Sequence, residues 1–489
     1  MVNAIFALGC ATLVLVVVLL HWRERRLSNP RNLPLPPGPK PEPIIGNVRQ
    51  IPEESWLKFT EWKDVYGDIV YLNTLGTRIV ILNSYKTCTD LLEKAIYSDR
   101  PRFYTMDTLM NLGQITSLAP YGPALRQHQE LLRSALHQKA IEQYQPMQID
   151  RVKWYLSTLV MEPDNFLSNL HLLMGRIVVH AAYGAEVQSV EDTYITWSKA
   201  VIEGVTIGME PSNMIYNIFP FFLHIPGTRG GKLKILGAEV RKIADKMFNI
   251  PFDAVKASMD AGAASPSVVA TVLKSGKYAE EVAKWATGTL YLAGTNTTYG
   301  TVIAALFAMI KYPDVQRKAQ AEIDRVVGEG RLPTFADRPA LPYIDCLIKE
   351  TLRWRPLIPA CLGVPRSLLE DDYYEGYWIP KGTMVMPNVW STLYEDPERF
   401  WPERFEGGKG LDPRLWAFGF GRRICPGLYF SNAMAFIILA SILATFNLSK
   451  PIDDDAVSLE TDALIRSLDP FKCTIKPRSA SAAALVESR

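Results

Sequence analysis

Residues 428–446, LYFSNAMAFIILASILATF, carry no charged side chain. A helix built from them is apolar on every face, and such a helix is stable only when buried inside a larger body. The chain can enclose it, with 489 residues of which 48% are hydrophobic. The stretch leading into it, AFGFGRRICPG, sets Cys425 in a loop bounded by glycines. Gly419 and Gly421 reach backbone conformations closed to other residues, so the loop can pass close under a flat group. Pro426 and Gly427 lead into the helix, whose free N–H groups and positive dipole end favour an anionic sulfur. Two readings are open: Cys425 is a thiolate ligand, or the loop holds an anion at a helix end and the cysteine is incidental core.

Elsewhere the pattern is mostly helical. The longest candidate covers 277–311, opens with Glu280 and Glu281 and stops at Pro313. At roughly 1.5 Å per residue it crosses the whole molecule. A further helix covers 341–355 and ends before Pro356. Between 56 and 81, runs such as DIVYLNTL and RIVILN alternate apolar with polar residues and are broken by Gly67 and Gly76, which predicts a small sheet. The fold class is mainly α with a small β-sheet region.

Two helical stretches carry polar groups that need a reason. In the middle of the long helix, LAGTNTTYG places Gly294, Asn296, Thr297 and Thr298 among apolar residues. Glycine there costs roughly 1 kcal/mol relative to alanine. Close helix packing, with threonines bonded back to the preceding turn, is one account; a reactive site along the helix is the other. Glu350 and Arg353, in KETLRWRP, share one helix face. Exposed, such a pair contributes little.

Composition narrows the function. Lysine and arginine number 53 against 51 acidic residues, which argues against a nucleic-acid partner. Six cysteines without a CxxC spacing indicate neither a disulfide framework nor a zinc site. Length alone suggests roughly two to four domains, yet 44–478 shows no repeat or low-complexity linker, and one large unit is the simpler reading.

The ends add a membrane. Residues 4–20, AIFALGCATLVLVVVLL, reach the lower limit for spanning a bilayer, roughly 17 to 25 residues. His21, Arg23, Arg25 and Arg26 come next, so the positive-inside rule leaves the remainder cytosolic and 1–21 as a transmembrane anchor. Residues 22–43 are a basic, proline-rich linker containing LPLPPGPKPEP, a stiff extended spacer. Residues 479–489 are Ser/Ala-rich and are expected to fray as a flexible tail.

Phe418, Gly421, Arg423, Cys425 and Gly427 match every fixed position of the FxxGxRxCxG loop, and the chain resembles the cytochrome P450 family of heme-thiolate monooxygenases. The resemblance runs from the anchor to Pro477 and looks most like fungal microsomal secondary-metabolite members. It implies the family fold, with heme b between the long helix and the loop, and Cys425 as the axial metal ligand. Arg423 would meet a heme propionate and Phe418 would shield the sulfur. It also implies that Gly294 makes room for dioxygen and that Thr297 relays protons; the family pattern has an acid where this chain has Asn296. Glu350 and Arg353 resemble the ExxR motif, completed by Arg404 of PERF into a buried structural triad. The propionate-binding WxxxR pattern falls on Leu125 and Gln129, so both its side chains are missing; Arg126, His128 or Arg366 would have to compensate, or serve surface roles.

An enzyme of this kind must be fed electrons from outside, because the chain contains neither a P-loop nor a GxGxxG. The expected partner is a membrane-bound NADPH-dependent reductase, with NADPH used only through it, at the endoplasmic reticulum membrane. The expected reaction inserts one atom of O2 into an apolar small molecule, a terpenoid or aromatic secondary metabolite. The lining is expected from 103–118, 201–222, 291–293, 357–364 and 465–471. The alternative is a heme-thiolate isomerase or dehydratase that needs no reductase.

Overall fold

The computed structural model describes residues 29–52, 54–357, 364–388, 393–450 and 471–487. The expected anchor, the start of the linker, most of 357–364 and most of 465–471 lie outside the described residues. Where the sequence favours one unit, the contacts divide the chain into two, Met1–Pro101 with Pro365–Pro387, and Arg102–Val364 with Asn388–Arg489.

The first unit is built on a sheet. Residues 55–66, at the start of the region expected to be strand, form helix α1 (Ser55–Tyr66). Trp56, Phe59 and Trp62 explain the difference: three residues apart, they share one buried face, which is helical spacing. The hairpin β1 (Ile69–Thr74) and β2 (Thr77–Leu82) forms as expected, paired from Ile69 with Leu82 to Thr74 with Thr77. Leu75 and Gly76 turn it with φ of 49° and 87°, the doubly positive geometry of a two-residue hairpin. Helix α2 (Tyr85–Leu92) comes next, its start capped by Ser84 accepting from the Thr87 N–H. β3 (Arg366–Ser367), β4 (Asp372–Tyr374), β5 (Tyr377–Ile379) and β6 (Met384–Pro387) complete the unit, with β1-β2-β6-β3 as one sheet and β4-β5 as a hairpin. The proline-rich spacer is docked rather than free. Its prolines lack donors but keep their carbonyls, and Pro37 and Pro34 accept from the N–H groups of Tyr71 and Trp378, both at 2.8 Å. A Cβ on Gly38 would stand 1.9 Å from the Tyr71 carbonyl oxygen, so only glycine permits that approach.

The second unit is helical. Its main elements are α3 (Pro123–Leu136), α4 (Gln145–Met161), α5 (Phe166–Tyr183), α6 (Thr193–Met209), α7 (Arg229–Asp260), α8 (Glu280–Lys311), α9 (Pro342–Trp354) and α10 (Leu428–Thr445). Three of these are the helices read from the sequence, each ending within a few residues of its expected limits. The apolar α10 is a core helix, 78% buried, and packs between other helices as its composition requires. Strands β7 (Phe446–Ser449) and β8 (Thr474–Pro477) pair antiparallel beyond it. The expected tail instead forms α11 (Ala480–Glu487), with Ala482 and Val486 buried. Arg478, bonded to Asp324 at 2.6 and 2.8 Å, pins the chain just before it. Alanine-rich composition favours helix once a neighbouring surface receives its apolar face.

Candidate active site around Cys425

The loop before α10 aims its backbone at one sulfur. Gly419 and Gly421 take φ of 83° and 47°, the left-handed turns that their sequence positions predict. These turns bring the Cys425 N–H to the Phe418 carbonyl at 2.8 Å. The thiol is accessible to solvent but recessed deep in the protein, and that burial pushes its pKa up, against the N–H groups of Gly427 and Leu428 that favour the anion. Both N–H groups lie at the start of α10, and that of Leu428 also reaches the Cys425 carbonyl at 3.4 Å. Phe418 itself is half-buried.

The loop is tied to the segment ahead of α3. Arg423 is buried and donates to the carbonyls of Ala119 at 2.6 Å and Thr116 at 3.3 Å. The Thr116 N–H in turn donates to the Thr289 hydroxyl of α8 at 3.0 Å, and the Thr116 hydroxyl stands 3.3 Å from His128 Nδ1. His128 is therefore not a surface cation. Burial pulls its pKa down to about 4, so it is neutral near pH 7 and supplies no charge to a propionate. Leu125 is 1% exposed and fills core, and Arg126 is exposed. Gln129 donates to the Arg422 carbonyl at 2.6 Å, so the residue in place of the expected arginine binds the cysteine loop itself. Arg366 belongs to the other unit, where it donates to the Leu92 carbonyl at 3.0 Å. The contacts of Thr116, Thr289 and Gln129 are invisible in sequence, because each joins residues more than a hundred positions apart, apart from the Thr116–His128 pair.

The long helix changes character at its middle. Between Trp285 and Leu292 it is buried without interruption; then Ala293 is exposed and Gly294, Asn296, Thr297 and Tyr299 are half-buried. Ala293 and Thr297 are one turn apart on a shared face, and the Thr297 hydroxyl donates to the Ala293 carbonyl at 2.9 Å, leaving its oxygen lone pairs free to accept. The Thr298 hydroxyl donates to Ser431 in the first turn of α10 at 3.0 Å, so the opened stretch crosses the helix end that comes after Cys425. A Cβ on Gly294 would lie 3.0 Å from Val178 of α5, so the glycine also lets α5 pack closely on α8. The Asn296 amide donates to the Leu292 carbonyl at 3.2 Å and its oxygen lies 3.3 Å from His171 Nε2.

The triad forms as expected. Glu350 accepts from Arg353 at 2.7 and 2.8 Å and from Arg404 at 3.2 Å, with Glu350 and Arg353 fully buried. The Arg353 guanidinium also donates to the carbonyls of Pro397 and Arg399, which makes α9 the clamp of the chain crossing it. Of the expected lining, 103–118 and 201–222 do meet: the Thr105 hydroxyl donates to Asn217 at 2.8 Å, and a Cβ on Gly208 would stand 2.1 Å from the end of the Met106 side chain. Tyr291 is not lining, being packed between Tyr183 and Tyr194 with ring centroids 5.9 Å away on each side.

A cysteine with two backbone donors at the start of a core helix, crossed by the opened stretch of the long helix, is of the kind that suits heme iron. The cytochrome P450 family model matches residues 36–475. The chain is 36% identical over 494 residues to the cytochrome P450 monooxygenase COX1 of Coprinopsis cinerea, covering 95% of each. It is 36% identical to the monooxygenase claR of Ampulloclitocybe clavipes, covering 98% of this chain and 91% of the other, and 37% identical to monooxygenase 176 of Postia placenta, covering 92% of each. The chain belongs to the cytochrome P450 family, whose members bind heme through a cysteine thiolate and take electrons from a redox partner. It is a monooxygenase of that family.

Proposed function

We propose that Cys425 is the iron ligand and that the enzyme inserts one atom of O2 into an apolar small molecule, a terpenoid or aromatic of fungal secondary metabolism. Electrons come from an NADPH-dependent reductase, and residues 1–21 anchor the chain in the endoplasmic reticulum membrane. The observation that carries the reading is the pair of N–H groups, Gly427 and Leu428, directed at the Cys425 sulfur.

Heme iron, when bound, supplies reductive activation of dioxygen, favoured by electron donation from the thiolate. The protein's own part is positional. The Phe418 carbonyl fixes the Cys425 backbone, and the start of α10 stabilises negative charge on the sulfur. Phe418 limits water at the sulfur. Arg423 places a buried positive charge in the same wall, held by the carbonyls of Thr116 and Ala119, and would meet a propionate there. Thr297 offers a hydroxyl oxygen on the opened face of α8 and holds or passes a proton there. Glu350, Arg353 and Arg404 do no chemistry; they keep the chain over α9 in place. The apolar segments 103–118 and 201–222 exclude water from the substrate.

The test is expression of the full chain with a reductase, a carbon monoxide difference spectrum, and untargeted product analysis against candidate extracts. A thiolate-type ferrous-carbonyl band with NADPH-dependent product supports the reading. An imidazole-type band, or product formed without NADPH and reductase, overturns it.

A further inference from the structure

At the C-terminal end of α8 the second unit holds a cavity that the proposed reaction does not use. Lys311 and Tyr312 lead there into the helix Pro313–Val326, and the chain clamped over α9 brings Arg399, Phe400 and Trp401 against them. The space between measures about 380 Å³, and neither Cys425, Thr297 nor the segments 103–118 and 201–222 line it. Sites for small organic molecules span about 300–1,000 Å³, so the volume suits a ligand of one or two rings.

Its walls are aromatic. Tyr312 and Phe400 stack with ring centroids 5.6 Å apart. Trp401 is 37% exposed, with the Arg399 guanidinium 5.2 Å from its ring centroid and that of Arg404 at 5.3 Å. The Lys311 ammonium stands 5.9 Å from the Tyr312 ring. The acids at the rim are already committed: Asp314 pairs with Arg317, while Glu403 pairs with Lys318 and accepts from the Tyr343 hydroxyl at 3.2 Å. Among the described residues neither Lys311 nor Arg399 has an acidic partner, so two positive charges at this cavity rest on ring faces alone.

We propose that this cavity is a second small-molecule site and that it takes an aromatic carboxylate, with the ring against Tyr312, Phe400 and Trp401 and the carboxylate between Lys311 and Arg399. A neutral ring would leave both cations without a counter-charge, and an anion without a ring would leave the aromatic faces in water. The guanidinium of Arg399 presents paired donors that match a carboxylate. The occupant also bears on the fold, because the Trp401 N–H donates to Glu350 at 2.6 Å and the Arg399 carbonyl accepts from Arg353 at 2.9 Å. A ligand held by the side chains of this segment binds the folded chain alone and raises its melting temperature.

The experiment titrates naphthalene-2-carboxylate into the full heme-loaded enzyme by calorimetry, with the Soret band followed in parallel to report entry beside the heme. One equivalent is expected to bind with the Soret band unmoved and the melting temperature raised. Lys311→Gln and Arg399→Gln each weaken binding on the order of tenfold, the loss of one charge-assisted contact, and Trp401→Leu does the same through the ring. Lys311→Arg, which keeps the charge, retains it. Naphthalene-2-methanol and cyclohexanecarboxylate, each lacking one of the two features, bind on the order of tenfold more weakly. Absence of binding, equal affinity of the neutral alcohol, equal affinity in the two glutamine variants, or a single equivalent that shifts the Soret band overturns the proposal. None of these results bears on the monooxygenase reading, which the thiolate carbonyl band and NADPH-dependent product decide.

Discussion

Removing the Glu350 carboxylate leaves buried guanidinium groups without their counter-charge, and the structure sets the size of that loss. Glu350 accepts from Arg353 Nε and Nη2, from Arg404 Nε and from the Trp401 N–H, the last at 2.6 Å. Glu350→Ala strips all of these at once at a site where neither Glu350 nor Arg353 is exposed. Water does not reach the stranded Arg353 to compensate. Breaking a buried pair by deleting one partner costs about 3–5 kcal/mol, of which the unpaired charge is the larger share. Against a domain stability of about 5–15 kcal/mol, that takes the protein toward the edge of folding. Urea unfolding followed by tryptophan fluorescence reads it directly, since Trp354 donates to the Glu398 carbonyl within the same cluster. Glu350→Gln keeps an acceptor but not the charge and falls between the variant and wild type. A midpoint for Glu350→Ala corresponding to a loss below about 1 kcal/mol, the range of an exposed pair, would refute the buried-clamp account.

Cys425→Ser is expected to abolish the thiolate-type carbonyl spectrum, and retention of normal turnover would show that another group holds the iron. Thr297→Ala should keep that spectrum while diverting NADPH from product to reduced oxygen species, measured as peroxide released per NADPH oxidised. His128 makes stability pH-dependent: its folded pKa of about 4 lies below the 6.5 of the free side chain, so the unfolded chain binds the extra proton. Stability is complete above about pH 6.5 and falls toward pH 4 by up to about 3 kcal/mol. Urea midpoints at the two pH values should differ in wild type and converge in His128→Asn; equal slopes would show that the ring is not buried neutral.

How much of the molecule is legible in the chain depends on the range of each interaction. α10 is legible because an apolar run dictates burial without naming its neighbours. The Cys425 loop is legible because its glycines, cysteine and helix start lie within ten residues of one another, so the backbone geometry that they create is local. α1 reads as strand because DIVYLNTL begins just after it and its buried face rests on only Trp56, Phe59 and Trp62. α11 is hidden because Ser and Ala give no sign of the surface that orders them.

Pairings across the chain are hidden too, and they change the electrostatics of the site. The sequence pattern sets two missing side chains, at Leu125 and Gln129, against three substitutes. The structure makes one of those substitutes, His128, neutral. Gln129 meanwhile spends its amide on the Arg422 carbonyl, a neutral bond that steadies the loop without adding charge. Arg423 is then the buried cation that this wall contributes, and its carbonyl partners at Thr116 and Ala119 hold it there whatever else it binds. Locked through Thr116 to α8 and α3 together, Arg423 couples the Cys425 loop to the long helix by hydrogen bonds.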